Sequence, residues 1–370
     1  MKKIVVSVTN DLVSDNRAHK ICTSLTNRGF KVTLLGRKLK KSLPLQKRKY
    51  QTIRMVLLFN KGPFFYTEYN FRLFLFLLFT KVDILYSVDL DTLTANYLAS
   101  GIKKKPLVYD SHEYFTEVPE LINRPRIKKI WEWLERKMVP NLKFAITVCN
   151  SIAEIYEKKY GVKFHVVRNV PFKKSIPAQK KEIQPEEKII LYQGALNIGR
   201  GLQQAIISMH YIKGARLIIA GDGDIKNELE LLVHKENLGQ KVEFIGRLPL
   251  EELEKLTTKA DLGLSIEEDI GLNYRFALPN KLFDYIRAQV PVLVTNLPEM
   301  KAIVNEYQVG EITDSLAPEI LAVKITEALT NAGKRQNWKK NLARAASELT
   351  WENEEEKLLY LINLIKSGES

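Results

Sequence analysis

The chain has 370 residues, 45% of them apolar and 27% charged, the composition of a soluble globular protein of about two domains; collagenous, disordered and disulfide-scaffold chains are excluded. Its 57 Lys and Arg against 43 Asp and Glu leave a net charge of +14, so an acidic partner is expected: nucleic acid, anionic lipid headgroups or a phosphorylated small molecule. Cys22 and Cys149 stand apart with no CxxC spacing, which argues against a zinc cluster or a disulfide framework and fits a reducing compartment.

Short β-branched runs alternate with longer helical periods, the pattern of an α/β chain. The expected strands of the first half are Ile4–Val8, Val32–Leu35, Ile53–Leu57, Ile84–Tyr86, Leu107–Tyr109 and Ala145–Val148. Met1-Lys2-Lys3 and the run behind it are too short for the apolar region of a signal peptide. A helix carrying Ile21 and Leu25 follows the first strand and stops at Gly29. The longest apolar run, Leu73–Phe79, lies between Arg72 and Lys81 and is far shorter than the ~20 residues of a membrane span. The aromatic stretch Phe64 to Phe79, with Lys38, Lys40, Lys41, Lys47, Arg48 and Lys49 upstream, fits peripheral contact with an anionic membrane; burial of the aromatics in a core explains them nearly as well.

A Pro- and Lys-rich stretch from Pro171 through Glu187 has no periodicity and reads as an interdomain linker. Alternation then restarts with Ile189–Tyr192, Leu217–Ala220, Val242–Ile245, Leu262–Ser265 and Val292–Thr295. Two doubly wound, Rossmann-like domains facing across a cleft are expected, and in such sheets ligands bind beyond the carboxyl ends of the strands. The residues to inspect are those just after strands.

After Ile189–Tyr192 the loop Gln193-Gly194-Ala195-Leu196-Asn197-Ile198-Gly199-Arg200-Gly201 leads into a helix from Leu202. Glycines let backbone amides approach an anion, and Arg200 stands at the same spot; an ordinary turn with a solvated arginine is the plainer account. After Leu217–Ala220 comes Gly221-Asp222-Gly223-Asp224, either a ligand-contacting loop or a tight turn. After Leu262–Ser265 a polar loop from Glu267 to Arg275 precedes Pro279-Asn280-Lys281-Leu282-Phe283-Asp284. Pro279 suits a first helical turn, Lys281 adds charge to free amides, and Asp284 can accept from a pair of ribose hydroxyls. A surface ion pair between Lys281 and Asp284 is the competing explanation. In the first half, Leu107–Tyr109 ends in Asp110-Ser111-His112-Glu113, a histidine among acids at a strand's carboxyl end. Asn10 and Arg17 follow the first strand. The other histidines lack metal-binding spacing, and no metal is assigned.

Taken together, the opening "TND…DNRAHKICTSLTNRGFKVTLLG", "VYDSHEYF", "LYQGALNIGRGL", "LIIAGDGD", "VEFIGRLPLEEL" and "LPNKLFDYIRAQVPVLVTNLPEM" resemble the GT-B glycosyltransferases of family 4, glycosyl transferases group 1. The resemblance spans almost the whole chain. It implies an acceptor-binding domain over 1–170, a donor-binding domain over 171–350, and a last helix, 354–366, that crosses back to the first domain. It implies a hexosyltransferase (EC 2.4) that moves a sugar from a UDP- or GDP-linked donor, with retention, to a glycan or lipid-linked acceptor in cell-surface polysaccharide synthesis. Such an enzyme is cytoplasmic, in peripheral contact with the inner membrane face, and needs no cofactor or metal.

By position, Arg200 resembles the family's diphosphate-binding lysine, Asp284 the ribose-binding second glutamate of the EX7E motif, and His112 the histidine near the donor sugar. Arg247, in "FIGR", falls in the loop near the base. His112, Arg200 and Lys281 are the expected catalytic group. Gly194, Gly221, Gly223, Arg247, Pro279, Asn280 and Asp284 are expected on the donor; Asn10, Arg17 and Glu113 belong to the acceptor side. Three departures stand out: Ala195 replaces an arginine, Phe276 occupies the place of the first EX7E glutamate, and Asn10-Asp11-Leu12 replaces a glycine pair. Two rival activities remain. A nucleotide-sugar 2-epimerase shares the fold, and a basic nucleic-acid-binding protein shares the charge but lacks any RNP, KH, zinc-finger or helix-turn-helix signature.

Overall fold

The β-branched runs form parallel strands and the segments of helical period between them form helices. This is seen in a computed structural model that describes residues 1–13, 15–173 and 187–367. The middle of the expected linker, 174–186, lies outside the described residues. The chain folds as two units, Met1–Asn169 with Glu354–Ser370, and Val170–Asn353.

The first unit begins β1 (Lys3–Asp11), α1 (Asn16–Asn27), β2 (Lys31–Lys38), β3 (Gln51–Val56) and α2 (Gly62–Phe79). It continues β4 (Ile84–Val88), α3 (Leu90–Lys103), β5 (Leu107–Ser111), α4 (Pro119–Ile122), α5 (Pro125–Met138), β6 (Phe144–Thr147), α6 (Asn150–Tyr160) and β7 (Phe164–Val166). The seven strands lie in the order β3-β2-β1-β4-β5-β6-β7, all pairs parallel. β4 and β5 are buried at every position, as befits strands covered on both faces. The order reverses between β1 and β4, so the loops after these two strands diverge and leave room at the switch point.

The second unit runs β8 (Lys188–Gln193), α7 (Leu202–Ser208), β9 (Ala215–Ala220), α8 (Lys226–Lys235), β10 (Val242–Gly246), α9 (Leu250–Thr257) and β11 (Leu262–Ser265). It ends α10 (Leu272–Arg275), α11 (Asn280–Arg287), β12 (Val292–Thr295), α12 (Pro298–Tyr307), β13 (Gly310–Thr313), α13 (Pro318–Thr330) and α14 (Ala332–Glu348). Its parallel sheet has the order β10-β9-β8-β11-β12-β13, with the switch point between β8 and β11. The expected α/β class and doubly wound sheets are therefore observed.

The last helix, α15 (Trp351–Ser367), starts three residues before the expected Glu354. Within the first unit the Glu354 carboxylate accepts the Arg168 amide at 2.9 Å, the Glu355 carboxylate accepts the Ser24 hydroxyl, and Lys366 Nζ lies 4.3 Å from the Phe30 ring centre. Two strands, β7 and β13, are absent from the sequence reading. Each is an edge strand of three or four residues, too short for an alternation to register.

Candidate functional site

In the second unit the functional side chains come from the two loops that diverge at the β8/β11 switch point and from α11 behind them. Glu267, two residues past β11, is wholly buried. Its Oε1 lies 2.8 Å from Lys281 Nζ and 3.3 Å from Arg200 Nη1, while its Oε2 accepts the Ser265 hydroxyl at 2.9 Å. Thr295 Oγ1 donates to the Glu267 carbonyl at 2.7 Å and fixes the loop. Burial alone would push the Glu267 carboxyl up, but the Lys281 and Arg200 charges outweigh it and hold the group below the ordinary glutamate value. Burial disfavours the Arg200 charge, yet Glu267 reverses that and the guanidinium is held above its usual range.

Both cations also rest on aromatic faces, Lys281 Nζ 4.0 Å from the Tyr192 ring centre and the Arg200 guanidinium 5.0 Å from that of Tyr274. Arg200 Nε is buried and has no hydrogen-bond acceptor among the described residues. α11 starts directly after Pro279, and no side chain caps it, so its first amides add partial positive charge beside Lys281. Two cations beside an uncapped helix start are an arrangement that can attract an anion.

The competing ion pair between Lys281 and Asp284 does not form. Lys281 turns inward to Glu267, and Asp284 instead accepts Gln193 Nε2 at 3.3 Å and meets Arg287 at 3.4 Å. Gln193 is the last residue of β8, and its Oε1 accepts the Thr257 hydroxyl at 2.7 Å, so a buried amide sets Asp284 at the carboxyl end of the central strand. Asn280 is exposed beside it. Arg247, just beyond β10, is exposed.

The glycines of the two donor-side loops face each other. Gly194 N donates to the Ala220 carbonyl at 3.0 Å and Leu196 N to that of Asp222 at 3.0 Å. A Cβ at Gly221 would stand 1.9 Å from the Gly194 oxygen, and one at Gly223 2.4 Å from that of Leu196. Close approach of the loops therefore accounts for both glycines without a ligand.

In the first unit His112 lies just past β5, its backbone N–H donating to Asp89 at 2.8 Å. Its ring stands between two carboxylates, Nδ1 3.6 Å from Asp89 and Nε2 3.4 Å from Asp110. Burial opposes the imidazolium, but the two carboxylates prevail and raise His112 to about 8. Asp89 follows β4 at the switch point with φ 56°, a left-handed backbone that few non-glycine residues adopt. Asp91, in the first turn of α3, is pushed up to about 8 by burial and then by Asp89. Glu113 is half-buried, its carbonyl accepting the Ser111 hydroxyl at 2.8 Å, and the exposed Asn10 donates to Asp15 at 3.2 Å.

Arg17 requires a correction. It does not reach an acceptor: it is buried, with Nη2 2.8 Å and Nε 3.2 Å from the two Asp110 oxygens and Nη1 on the Val167 carbonyl at 2.8 Å. Tyr86 also donates to Asp110 at 2.8 Å. Burial raises the Asp110 carboxyl, but Arg17 and then His112 override it and hold the group well below the aspartate range. The sequence reading also passed over Glu267. Its signal was its place directly after a strand, the same criterion that selected Arg200.

Residues 15–170 match the family described as Glycosyltransferase Family 4, and residues 174–345 that described as Glycosyl transferases group 1. An uncharacterized glycosyltransferase of Methanocaldococcus jannaschii is 27% identical over 46% of this chain and 43% of its own length. The GalNAc-alpha-(1->4)-GalNAc-alpha-(1->3)-diNAcBac-PP-undecaprenol alpha-1,4-N-acetyl-D-galactosaminyltransferase of Campylobacter jejuni is 27% identical over 49% of this chain and 48% of its own. The matches thus span about half the length of these curated relatives. A sucrose-phosphate synthase of Thermosynechococcus elongatus superposes with TM-score 0.79 at 15% identity over 100% of both chains. Anabaena HepE in complex with UDP-glucose superposes with TM-score 0.72 at 13% identity over 99% of this chain and 100% of its own. These likenesses show the GT-B fold, in which each of the two units is a Rossmann-like domain.

Proposed function

We propose that this chain, a glycosyltransferase of the GT-B fold, moves a hexosyl group from a UDP- or GDP-linked sugar to a glycan or lipid-linked acceptor in cell-surface polysaccharide synthesis, with retention. The observation that carries the donor assignment is the convergence of Arg200 and Lys281 on buried Glu267 beside the uncapped start of α11. A departing nucleoside diphosphate gains negative charge in the transition state, and fixed cations aimed at that charge lower the barrier. Arg200, Lys281 and the amides after Pro279 take the diphosphate on this reading, Asp284 and Asn280 the ribose side, and Arg247 the base. Gly194, Gly221 and Gly223 shape the loops around it. On this reading Arg200 and Lys281 supply the charge that neutralises the phosphates, and no resident metal is assigned.

Retention gives the leaving phosphate oxygen the acceptor's proton on the same face of the sugar, so no side-chain base is required. His112 is assigned to the sugar, and Glu113 and Asn10 to the acceptor. The HepE complex with UDP-glucose supports a uridine donor, and the undecaprenol-linked substrate in the Campylobacter enzyme's name supports a lipid-linked acceptor. A thermal-shift panel of UDP, GDP, ADP and CMP with their sugar conjugates tests the donor site, since ligand at 100 times its Kd stabilises by ~2.7 kcal/mol. Response to one nucleotide names the base. Response to none overturns the reading, and product formed from donor alone, without acceptor, turns it into an epimerase.

A further inference from the structure

In the second unit the loops after β8 and β11 are clamped together around Arg200. Glu268 N donates to the Gly199 carbonyl at 2.9 Å, Gly201 N donates to Glu268 Oε1 at 3.4 Å, and the Tyr274 hydroxyl donates to the Ile198 carbonyl at 2.8 Å. Gly199, at φ 82°, has no room for a side chain: a Cβ there would stand 2.5 Å from Ile270 Cδ1 and 3.0 Å from the Tyr274 ring. Ile270 is thus pressed onto the backbone beside Arg200, whose guanidinium rests on the Tyr274 face.

This clamp turns aliphatic side chains outward. Ile198 is 71% exposed, Leu272 41% and Ile270 38%, although each would gain by leaving water. The acids of the β11 loop are already engaged: Glu267 with Lys281 and Arg200, Glu268 with the Gly201 amide, and Asp269 with Arg275 at 2.8 Å. Phe276, half-buried, puts a ring where the family pattern has a carboxylate. The surface bordering the two cations is therefore apolar where a site for a hydroxyl-rich sugar needs acceptors.

The strand order sets this surface in line with the donor. On the donor reading the base lies by Arg247 after β10, the ribose by Asp284 at the end of β8, and the diphosphate by the cations of Glu267 after β11. That sequence follows the order β10-β9-β8-β11 across the sheet. The next group of the donor is the hexosyl residue, bonded to the second phosphate, and the same direction carries it onto the loop of Ile270 and Leu272. An aliphatic wall strips water from a sugar hydroxyl and returns no hydrogen bond, whereas a methyl group gains from the same contact.

We propose that the transferred hexosyl group carries a methyl-bearing substituent, an acetamido group or a 6-deoxy carbon, that packs on Ile198, Ile270 and Leu272. The inference rests on the donor reading and narrows it: charge holds the nucleotide, and an apolar contact selects the sugar. A contact of this size in an apolar site discriminates about tenfold.

The test is calorimetric titration of the protein with matched donors on the base that thermal shift names. For uridine these are UDP-glucose and UDP-galactose against their N-acetylated and 6-deoxy counterparts, and for guanosine GDP-mannose against GDP-rhamnose. One substituted sugar binds about tenfold tighter than its parent, and which one does so tells whether the methyl belongs to an acetamido group or to a 6-deoxy carbon. Ile270→Asn with Leu272→Asn brings the pair within twofold, the melting temperature reporting that the variant is folded. Ile320→Asn, exposed on α13 away from the clamp, leaves the preference in place. A parent hexose that binds as tightly as its substituted counterparts overturns the proposal, and so does a preference that survives the double change. If the nucleoside diphosphate binds and the sugars do not differ, this inference falls and the donor reading stands. If no nucleotide binds, the donor reading itself falls and takes the inference with it.

Discussion

Lys281 Nζ stands 2.8 Å from Glu267 Oε1 in the interior of the second unit, and Arg200 shares the same oxygen at 3.3 Å. The carboxylate keeps the buried Lys281 and the half-buried Arg200 paired when no anion is present, and it leaves the trio with a net positive charge for one. Removing that negative charge while keeping the shape increases the attraction for a diphosphate. Glu267→Gln is expected to tighten nucleoside-diphosphate binding several-fold in calorimetry and to lower the unfolding free energy. Weaker binding would show that the carboxylate matters by aiming the cations.

On the proposed reading Arg200→Ala and Lys281→Ala remove charge from the leaving group, and loss of one such donor is expected to cost kcat about 10²-fold, roughly 3 kcal/mol. Lys281→Ala also strands part of the Glu267 charge, so its melting temperature falls, while Arg200, at the loop's edge, is expected to leave stability nearer the parent. Steady-state turnover with the nucleotide-sugar identified by thermal shift checks both. Unchanged turnover in the two variants removes the phosphate assignment.

The sheets were legible because they are written in runs of Val, Ile and Leu with glycine-punctuated loops, and strands buried on both faces leave that mark most strongly. Arg200 stands out because it lies in the glycine-punctuated loop after β8, and Lys281 because Pro279 marks the start of the helix that carries it. Glu267 was passed over because a carboxylate next to an anion site looks wrong until its two partners, 67 and 14 residues away in the chain, are brought to it. Arg17 was misread in the opposite sense. Its sequence neighbourhood is polar and loop-like, and only the pairing of β1 with β4 and of β4 with β5 brings Asp110 to it from 93 residues away.

The Arg17–Asp110 pair predicts stability rather than turnover. Breaking a buried ion pair from one side leaves an uncompensated charge and costs about 3–5 kcal/mol. Arg17→Met is expected to lower the unfolding free energy from urea titration by that margin, with a correspondingly lower midpoint, and adding Asp110→Asn is expected to recover part of it because no lone carboxylate then remains buried. A parent-like midpoint in the single variant would place the guanidinium in solvent instead.

His112 and Asp91 make the first unit sensitive to alkali. His112 is raised from 6.5 to about 8 in the folded chain, so its contribution is complete below pH 6.5 and is lost as pH rises through 8, on the order of 2 kcal/mol. Asp91, raised from 3.8 to about 8, keeps its proton in the folded state over a range where the unfolded state has released it, so its contribution also declines with rising pH, beginning near 4. The two slopes share a sign and overlap between pH 6.5 and 8. His112→Asn is expected to flatten the stability profile in that window alone, and Asp91→Asn to flatten it from about pH 4 upward. Denaturation midpoints from pH 5 to 9 separate them. A His112→Asn profile parallel to the parent would mean that the imidazole titrates in the folded chain as it does in the unfolded one.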